Sequence, residues 1–414
     1  MSARQNRSCS TYSHNVARQC CCTLLGLGTL FTSNTVLPID SSILEPSVYL
    51  RSLLVDHEIP LGVKWGAEVF FDVPLNNEPA GAQATLRKAK LDFYKTLGAN
   101  WVVKLTAKYN STGKFEVDDN FFSYYGWQTA AAKIGIFDPP FSLESYSSSG
   151  SLTFMERSLA VAALSERKSG GFGILKRTPN SIINAGVFLF SPKNEGLAEK
   201  GTSLVLHYVH SPIDFLSHNK LHLGGSFSYR VGVDPETTQF RSLPEIGTVK
   251  DYYVDTGEID GANKTARFGL EAVTVNGSFS WQAELLTAAV KRSGFNDVFF
   301  WGAYTYLSWF LTDDKRNYAA GSGRFLEVAP NSPMFKGGHG AFEVALRASY
   351  VDLQDRDIAG GTSSGISLGL NWYLDNRFRC MFNLVKTLDV SRPGSEFDNA
   401  DPLSLSVRFQ WVLD

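Results

Sequence analysis

Cysteine is nearly missing from the body of this chain. Of five cysteines, Cys9, Cys20, Cys21 and Cys22 fall within the first 22 residues and only Cys380 lies beyond them, which excludes an internal disulfide framework. Charge is scarce too. Asp, Glu, Lys and Arg make up 19% of the 414 residues and sum to −2. That balance removes the global basic field expected of a nucleic-acid binder, and it confers no preference for ions of one sign. No run after the N-terminal region approaches the ~20 uninterrupted apolar residues of a transmembrane helix, so any crossing of a membrane falls to strands. Metal-ligand spacings, phosphate-cradling loops and cofactor fingerprints are absent, and GGTSSG at residues 360–365 reads as a loop.

What is present is glycine, at 36 residues, and 13% aromatics including 29 Phe, a composition that tilts toward β structure. The N-terminal CCCTLLGLGTLFTS follows Arg4, Arg7 and Arg18, with no acidic residue before Asp40. A basic start and a short apolar core are the marks of an export signal, assigned to residues 1–36. Residues 37–60 form a short irregular segment, and residues 61–414 the main domain.

From Leu61 onward, runs of about ten residues alternate apolar and polar side chains and are separated by polar or Gly/Pro/Asp-rich breaks. The first run sets Val63, Trp65, Ala67, Val69 and Phe71 against Lys64, Glu68 and Asp72. NWVVKLTAKY, KLHLGGSFSYR, AFEVALRASY, GISLGLNWYL and LSLSVRFQW repeat the pattern. Alternating side chains point to opposite faces of a strand, so the chain has one continuous apolar surface and one polar surface. A soluble β-sandwich would show the same alternation. Against it stand aromatics near the ends of the apolar phase (Trp65, Trp101, Tyr109, Trp281, Trp372, Trp411), breaks that alternate between tight (Asp375-Asn376) and long (Asp389 to Asp401), and a span too great for one sandwich. At ~20 residues per strand and connection, the span yields about 16 strands of an all-β, antiparallel transmembrane barrel with an aqueous lumen.

KIGIFDPPFSLESYSSSGSLTFMERSLA and RKAKLDFYKTLGANWVVKL resemble signature segments of the phosphate-selective porin O and P family. So do HLGGSFSYR, FRSLPE, VDTGEID, FGLEAV, FSWQAELL and LGLNWYLDNRFRCMFNLVK, in the family's order, from Leu61 to Trp411. The resemblance implies an outer-membrane porin of Gram-negative type: a 16-stranded barrel in outer-membrane lipid, a homotrimer, with an inward-folded loop that narrows the pore and cations that pass small anions such as phosphate. It also gives the serine-rich run at residues 140–158 a role, because a lumen this wide needs an added segment to form a constriction. In that loop Phe141, Leu152 and Phe154 are the expected anchors, and Arg157 the residue facing solute.

On the polar phase, Lys64, Lys90, Lys104, Lys108, Lys133, Arg230, Arg267, Arg347, Arg379 and Arg408 oppose Glu68, Asp72, Asp92, Glu271, Glu284 and Glu343, a mixed lumen with a basic excess. The resemblance and this sorting together nominate Arg87, Lys88, Lys90, Lys133, Arg157, Arg230 and Arg241 as pore-lining, anion-binding residues, since guanidinium forks and ammonium groups hold phosphate oxygens. Asp138 and Leu243 stand where family members often carry a cation. The expected function is therefore passive diffusion of small hydrophilic solutes and ions, leaning to anions, with phosphate or pyrophosphate as candidates. The C-terminal Leu413-Asp414 also departs from the family's terminal aromatic. Two other classes compete. A barrel hydrolase would draw on His207, His210 and Ser211, which lack an accompanying catalytic motif. An adhesive barrel would use loop clusters such as Asp313-Asp314 and Asp355-Arg356-Asp357, which read more simply as solvated turns.

Overall fold

A computed structural model describes residues 58–59, 62–76, 82–111, 113–192, 200–211, 219–232 and 237–413. Sixteen strands form the wall: β1 (Val63–Pro74), β2 (Thr85–Leu97), β3 (Trp101–Asn110), β4 (Asn120–Tyr124), β5 (Ala130–Phe137), β6 (Ser169–Thr178), β7 (Ser181–Phe190), β8 (Lys200–His210), β9 (Asn219–Val231), β10 (Ala262–Asn276), β11 (Phe279–Arg292), β12 (Val298–Phe310), β13 (Ala341–Asp355), β14 (Ile358–Tyr373), β15 (Phe378–Ser391) and β16 (Leu403–Leu413). Each pairs antiparallel with its neighbours in sequence, and β16 returns to β1 with Ala67 opposite Leu413 and Pro74 opposite Ser406. That last ladder closes the sheet and leaves no free edge. The expected export signal lies outside the described residues, as does the segment after it apart from Glu58–Ile59, which pairs with Lys64 and Val63.

The apolar phase faces outward. Leu105, Trp309 and Phe409 are 54%, 54% and 55% exposed, whereas Arg267, Arg347 and Arg408 are almost wholly buried. A water-soluble sandwich would bury the first set and expose the second, and this inversion is the one a transmembrane barrel shows, with its apolar band outside and polar groups within. The expected loop at residues 360–365 is instead part of β14, paired on both sides. Small polar residues satisfy a strand there because backbone pairing, not side-chain burial, holds it.

Connections from odd to even strands share one end of the barrel, and those from even to odd share the end where β1 begins and β16 stops. Turns at residues 98–100, 179–180 and 277–278 keep the second end short. Among the described residues, the expected rule of tight turns at that end fails between β12 and β13, where residues 311–340 fold back into the lumen.

Candidate pore constriction

Residues 138–168, between β5 and β6, fold into the barrel as the sequence led one to expect. Two short helices shape them, α1 (Leu143–Tyr146) and α2 (Leu159–Leu164). Ser142 and Ser158 cap them, their hydroxyls accepting from the N–H groups of Ser145 and Val161 at 3.3 and 3.4 Å. Remaining orphan donors at each helix start go to the wall. Leu143 and Glu144 donate to the Glu284 carboxylate of β11 at 3.0 and 2.8 Å. Leu159 donates to Glu245 at 3.0 Å and to Ser349 of β13 at 3.2 Å. The apolar face of α2 lies against β11, β12 and β13. Its approach requires Gly302 of β12, because a Cβ there would stand 2.9 Å from the Ala160 methyl. The expected anchors Phe141, Leu152 and Phe154 are all buried, each side chain contributing about 1.5–3 kcal/mol by leaving water.

The extended stretch between the helices is held through its backbone. Gln410 donates to the Gly150 carbonyl at 2.9 Å, Arg316 to Ser151 at 2.6 Å, and Arg379 to Leu152 at 2.6 Å and Thr153 at 3.1 Å. Asn371 also donates to Thr153 at 2.9 Å, Arg408 to Met155, and Arg347 to Glu156 at 3.0 Å. Carbonyls have no water partners against a protein wall, so this row of donors is the condition for burying the segment. Arg347, Arg379 and Arg408, which alternation places on the polar face, thus serve the loop.

Two further segments enter the lumen. From the end opposite the loop, residues 311–340 bring a short ladder of Tyr318–Ala319 with Arg324–Phe325, and Tyr318 and Phe325 pack with Leu143, Val273 and Val275. From the loop end, residues 237–261 add two small ladders and supply Glu245.

A cavity of about 520 Å³ remains between these segments and the β1–β5 wall. It is lined by Arg87, Lys88, Lys90, Lys133, Arg157 and Arg241, so six of the seven nominated residues come together. Arg230 stands apart, buried and bound to Glu166 at 2.7 Å beside Arg267, also at 2.7 Å. Within the cavity most cations already have carboxylates. Arg87 forks onto Glu156 at 2.8 and 2.9 Å. Lys90 bridges Glu68 and Asp92 at 2.5 and 3.0 Å, Lys104 bridges Asp92 and Asp119 at 3.4 and 3.0 Å, and Lys88 joins Glu68. Arg157 donates to the carbonyls of Glu144, Ser145 and Ser147 at 3.1, 3.2 and 3.2 Å. Lys133 sits over the Phe121 ring at 4.2 Å, and Arg241 over Tyr252 at 3.9 Å. Arg167, Lys168, Arg324 and Glu327 also line the cavity. They escaped the sequence reading because irregular segments carry no alternation.

Charge sets how firmly the loop sits. Burial would raise the Glu156 carboxyl, but Arg87 and Arg408 outweigh it and hold the group well below the usual range. Burial likewise opposes ionisation of Glu166, yet Arg267 and Arg230 pull it down to about 2. Glu144 goes the other way, because burial exceeds the pull of Arg347 and raises it. A depressed carboxylate stabilises the docked loop fully above its ordinary titration range and loses that effect progressively as pH falls from that range through the depressed value. Protonating Glu144 relieves a cost rather than adding one. Loop docking is therefore expected to weaken progressively as pH falls below the ordinary carboxylate range, with the contribution of Glu166 nearly gone by about pH 2. Limited proteolysis with an acid-active protease checks this; a loop as resistant at about pH 2 as at about pH 5, once the protease's own pH dependence is allowed for, contradicts it.

His207 is not arranged for hydrolysis. Its Nε2 lies 2.6 Å from Glu271, which also receives His222 at 2.8 Å, and Tyr318 from the inward 311–340 segment closes on His222 at 2.5 Å. His207, His222 and Glu271 come from three strands and are joined only by register, so alternation along each strand does not reveal the trio.

Relatives agree with the geometry. A family model described as phosphate-selective porin O and P matches residues 59–413. Porin O of Pseudomonas aeruginosa is 25% identical over 343 residues, 73% of this chain and 76% of that protein. An uncharacterized protein of Caulobacter vibrioides is 28% identical over 319 residues, 74% of this chain, which spans 63% of that relative's length. Among solved structures, a loop-deletion mutant of OmpT from Vibrio cholerae aligns with TM-score 0.53 and 10% identity over 84% of this chain and 99% of that one. An anion-selective porin from Comamonas acidovorans aligns with TM-score 0.50 and 12% identity over the same shares. At such identities the structures bear on fold alone. A closed sixteen-strand barrel narrowed from within, matched by the family model along nearly all of its wall, places the chain in the phosphate-selective porin O and P family of outer-membrane porins.

Proposed function

We propose that the barrel is a passive diffusion channel for small hydrophilic solutes and ions, and that it leans toward anions. One observation carries the lean: both approaches to the narrow cavity hold more cations than carboxylates. At the loop end a vestibule of about 470 Å³ is lined by Arg87, Lys114, Arg241 and Lys250 against Glu116 and Glu156. At the other end a chamber of about 150 Å³ is lined by Lys133, Arg177 and Arg324 against Asp138. Low-dielectric walls focus such a field, and it attracts anions arriving from either side.

The narrow part is closer to neutral, with eleven cationic and nine anionic side chains around it. Asp138 and Leu243 both line it, where family members often carry cations. The anion preference is therefore modest, and phosphate holds no advantage over chloride. Reversal potentials across a salt gradient in planar bilayers test this. Potassium chloride is expected to give a potential of anion-selective sign, and phosphate a permeability no higher than that of chloride. A cation-selective sign overturns the reading. We further propose a homotrimer in outer-membrane lipid, checked by native mass in detergent.

A further inference from the structure

Most of the paired charges of the cavity form one arc, and its order points to a class of solute. On the wall Lys88, Glu68, Lys90, Asp92, Lys104 and Asp119 follow in unbroken alternation, while Arg87 and Glu156 of the loop's flank form a separate pair next to it. Lys168, at the end of the loop, then contacts Asp119, Asp118 at 2.5 Å and Asp138 at 3.1 Å. From Glu68 to Lys168 every member of the arc touches an opposite charge on each side. Both signs reach the water: Asp138 is 44% exposed, Asp119 24%, Arg87 22%, Glu156 20% and Lys168 15%.

We propose that this arc makes the pore favour small zwitterions, amino acids above all, over uncharged solutes of the same size; the proposal rests on the channel reading above. A lone anion that binds one lysine of the arc must displace a carboxylate and leave it beside another negative charge. A lone cation meets the mirror-image difficulty. A zwitterion brings both signs, so its carboxylate replaces the displaced aspartate while its ammonium takes that aspartate up, and no charge is left without a partner. Opposed residues on neighbouring strands lie ~5 Å apart, close enough for an α-amino acid, whose two charges flank one carbon, to touch both members of such a pair at once. Because each exchange trades equivalent pairs, the solute is held weakly at successive places, the condition for passage rather than trapping. Arg157 and Lys133, which make no ion pair with a carboxylate among the described residues, add a positive bias without breaking the alternation.

The test compares alanine with its uncharged isomer lactamide as tracers leaving proteoliposomes, with protein-free vesicles subtracted. Alanine is expected to leave several-fold faster. Asp119→Asn, which opens a gap in the arc between Lys104 and Lys168, should bring the ratio toward unity and shift the chloride reversal potential further toward anions. Asp138→Asn, at the most exposed carboxylate, serves the same purpose should the first variant fail to assemble. Equal escape of the two isomers through the wild-type pore overturns the zwitterion proposal and leaves the channel intact. Absence of both tracer escape and conductance overturns the channel reading itself.

Discussion

Replacing Arg347 with alanine is expected to release the constriction and raise single-channel conductance several-fold. The guanidinium is fully buried and holds four things together. It donates to Glu245 at 2.9 Å and to the Glu156 carbonyl at 3.0 Å, stands 3.5 Å from Glu144, and covers the Phe154 ring at 4.3 Å. Glu245 in turn accepts from the first N–H of α2. Removing one partner of a buried ion pair leaves an uncompensated charge and costs about 3–5 kcal/mol. The damage falls on the loop, because the strand carrying Arg347 keeps its backbone pairs to β12 and β14. Barrel content measured by circular dichroism should hold while protease begins to cut residues 138–168. Wild-type conductance in this variant would mean that the remaining donors to the loop suffice without it.

Glu166→Gln should both destabilise the barrel and move its selectivity. Glu166 lies between Arg230 and Arg267 at 2.7 Å each, with Ser228 also donating to it, and all three residues named with it are buried. Losing the shared negative charge costs on the order of 3 kcal/mol, to be read as an earlier loss of the folded band on heating in detergent. Glutamine keeps the shape, so packing is not the variable. Because Glu166 also lines the cavity, the nine carboxylates become eight, and the reversal potential should shift toward anions. A variant with unchanged heat resistance would show that the pair's desolvation cancels its attraction.

Period-two alternation carried most of the fold in legible form, since a strand cannot hide which face it offers to lipid. The inward loop was legible for another reason: the buried-looking Leu-Thr-Phe-Met raised the question, and the family resemblance answered it. Alternation tells which way Arg347, Arg379 and Arg408 face but not what they meet, and their grip on the loop's carbonyls depended on where that loop came to rest. Lys90 was found by the same sign-sorting and Lys88 through the family resemblance, yet their pairing into an arc follows from register between β1, β2 and β3. Residues 311–340 were misjudged from Asp313-Asp314. Asp314 accepts from Asn331 and Thr312, so this acidic pair begins a structured inward segment rather than a solvated turn.

The loop at residues 138–168 and the segment at 311–340 enter from opposite mouths and meet, Arg316 reaching Ser151 and Phe325 lying with Leu143. Neither can reach its resting place until hairpins far apart in the chain have already curled into a cylinder. Narrowing is therefore the last act of assembly, and a newly inserted molecule passes through a wide, unselective stage. The cell would meet that stage as a brief leak, measurable as an early high-conductance period that decays when detergent-folded protein is added to a bilayer.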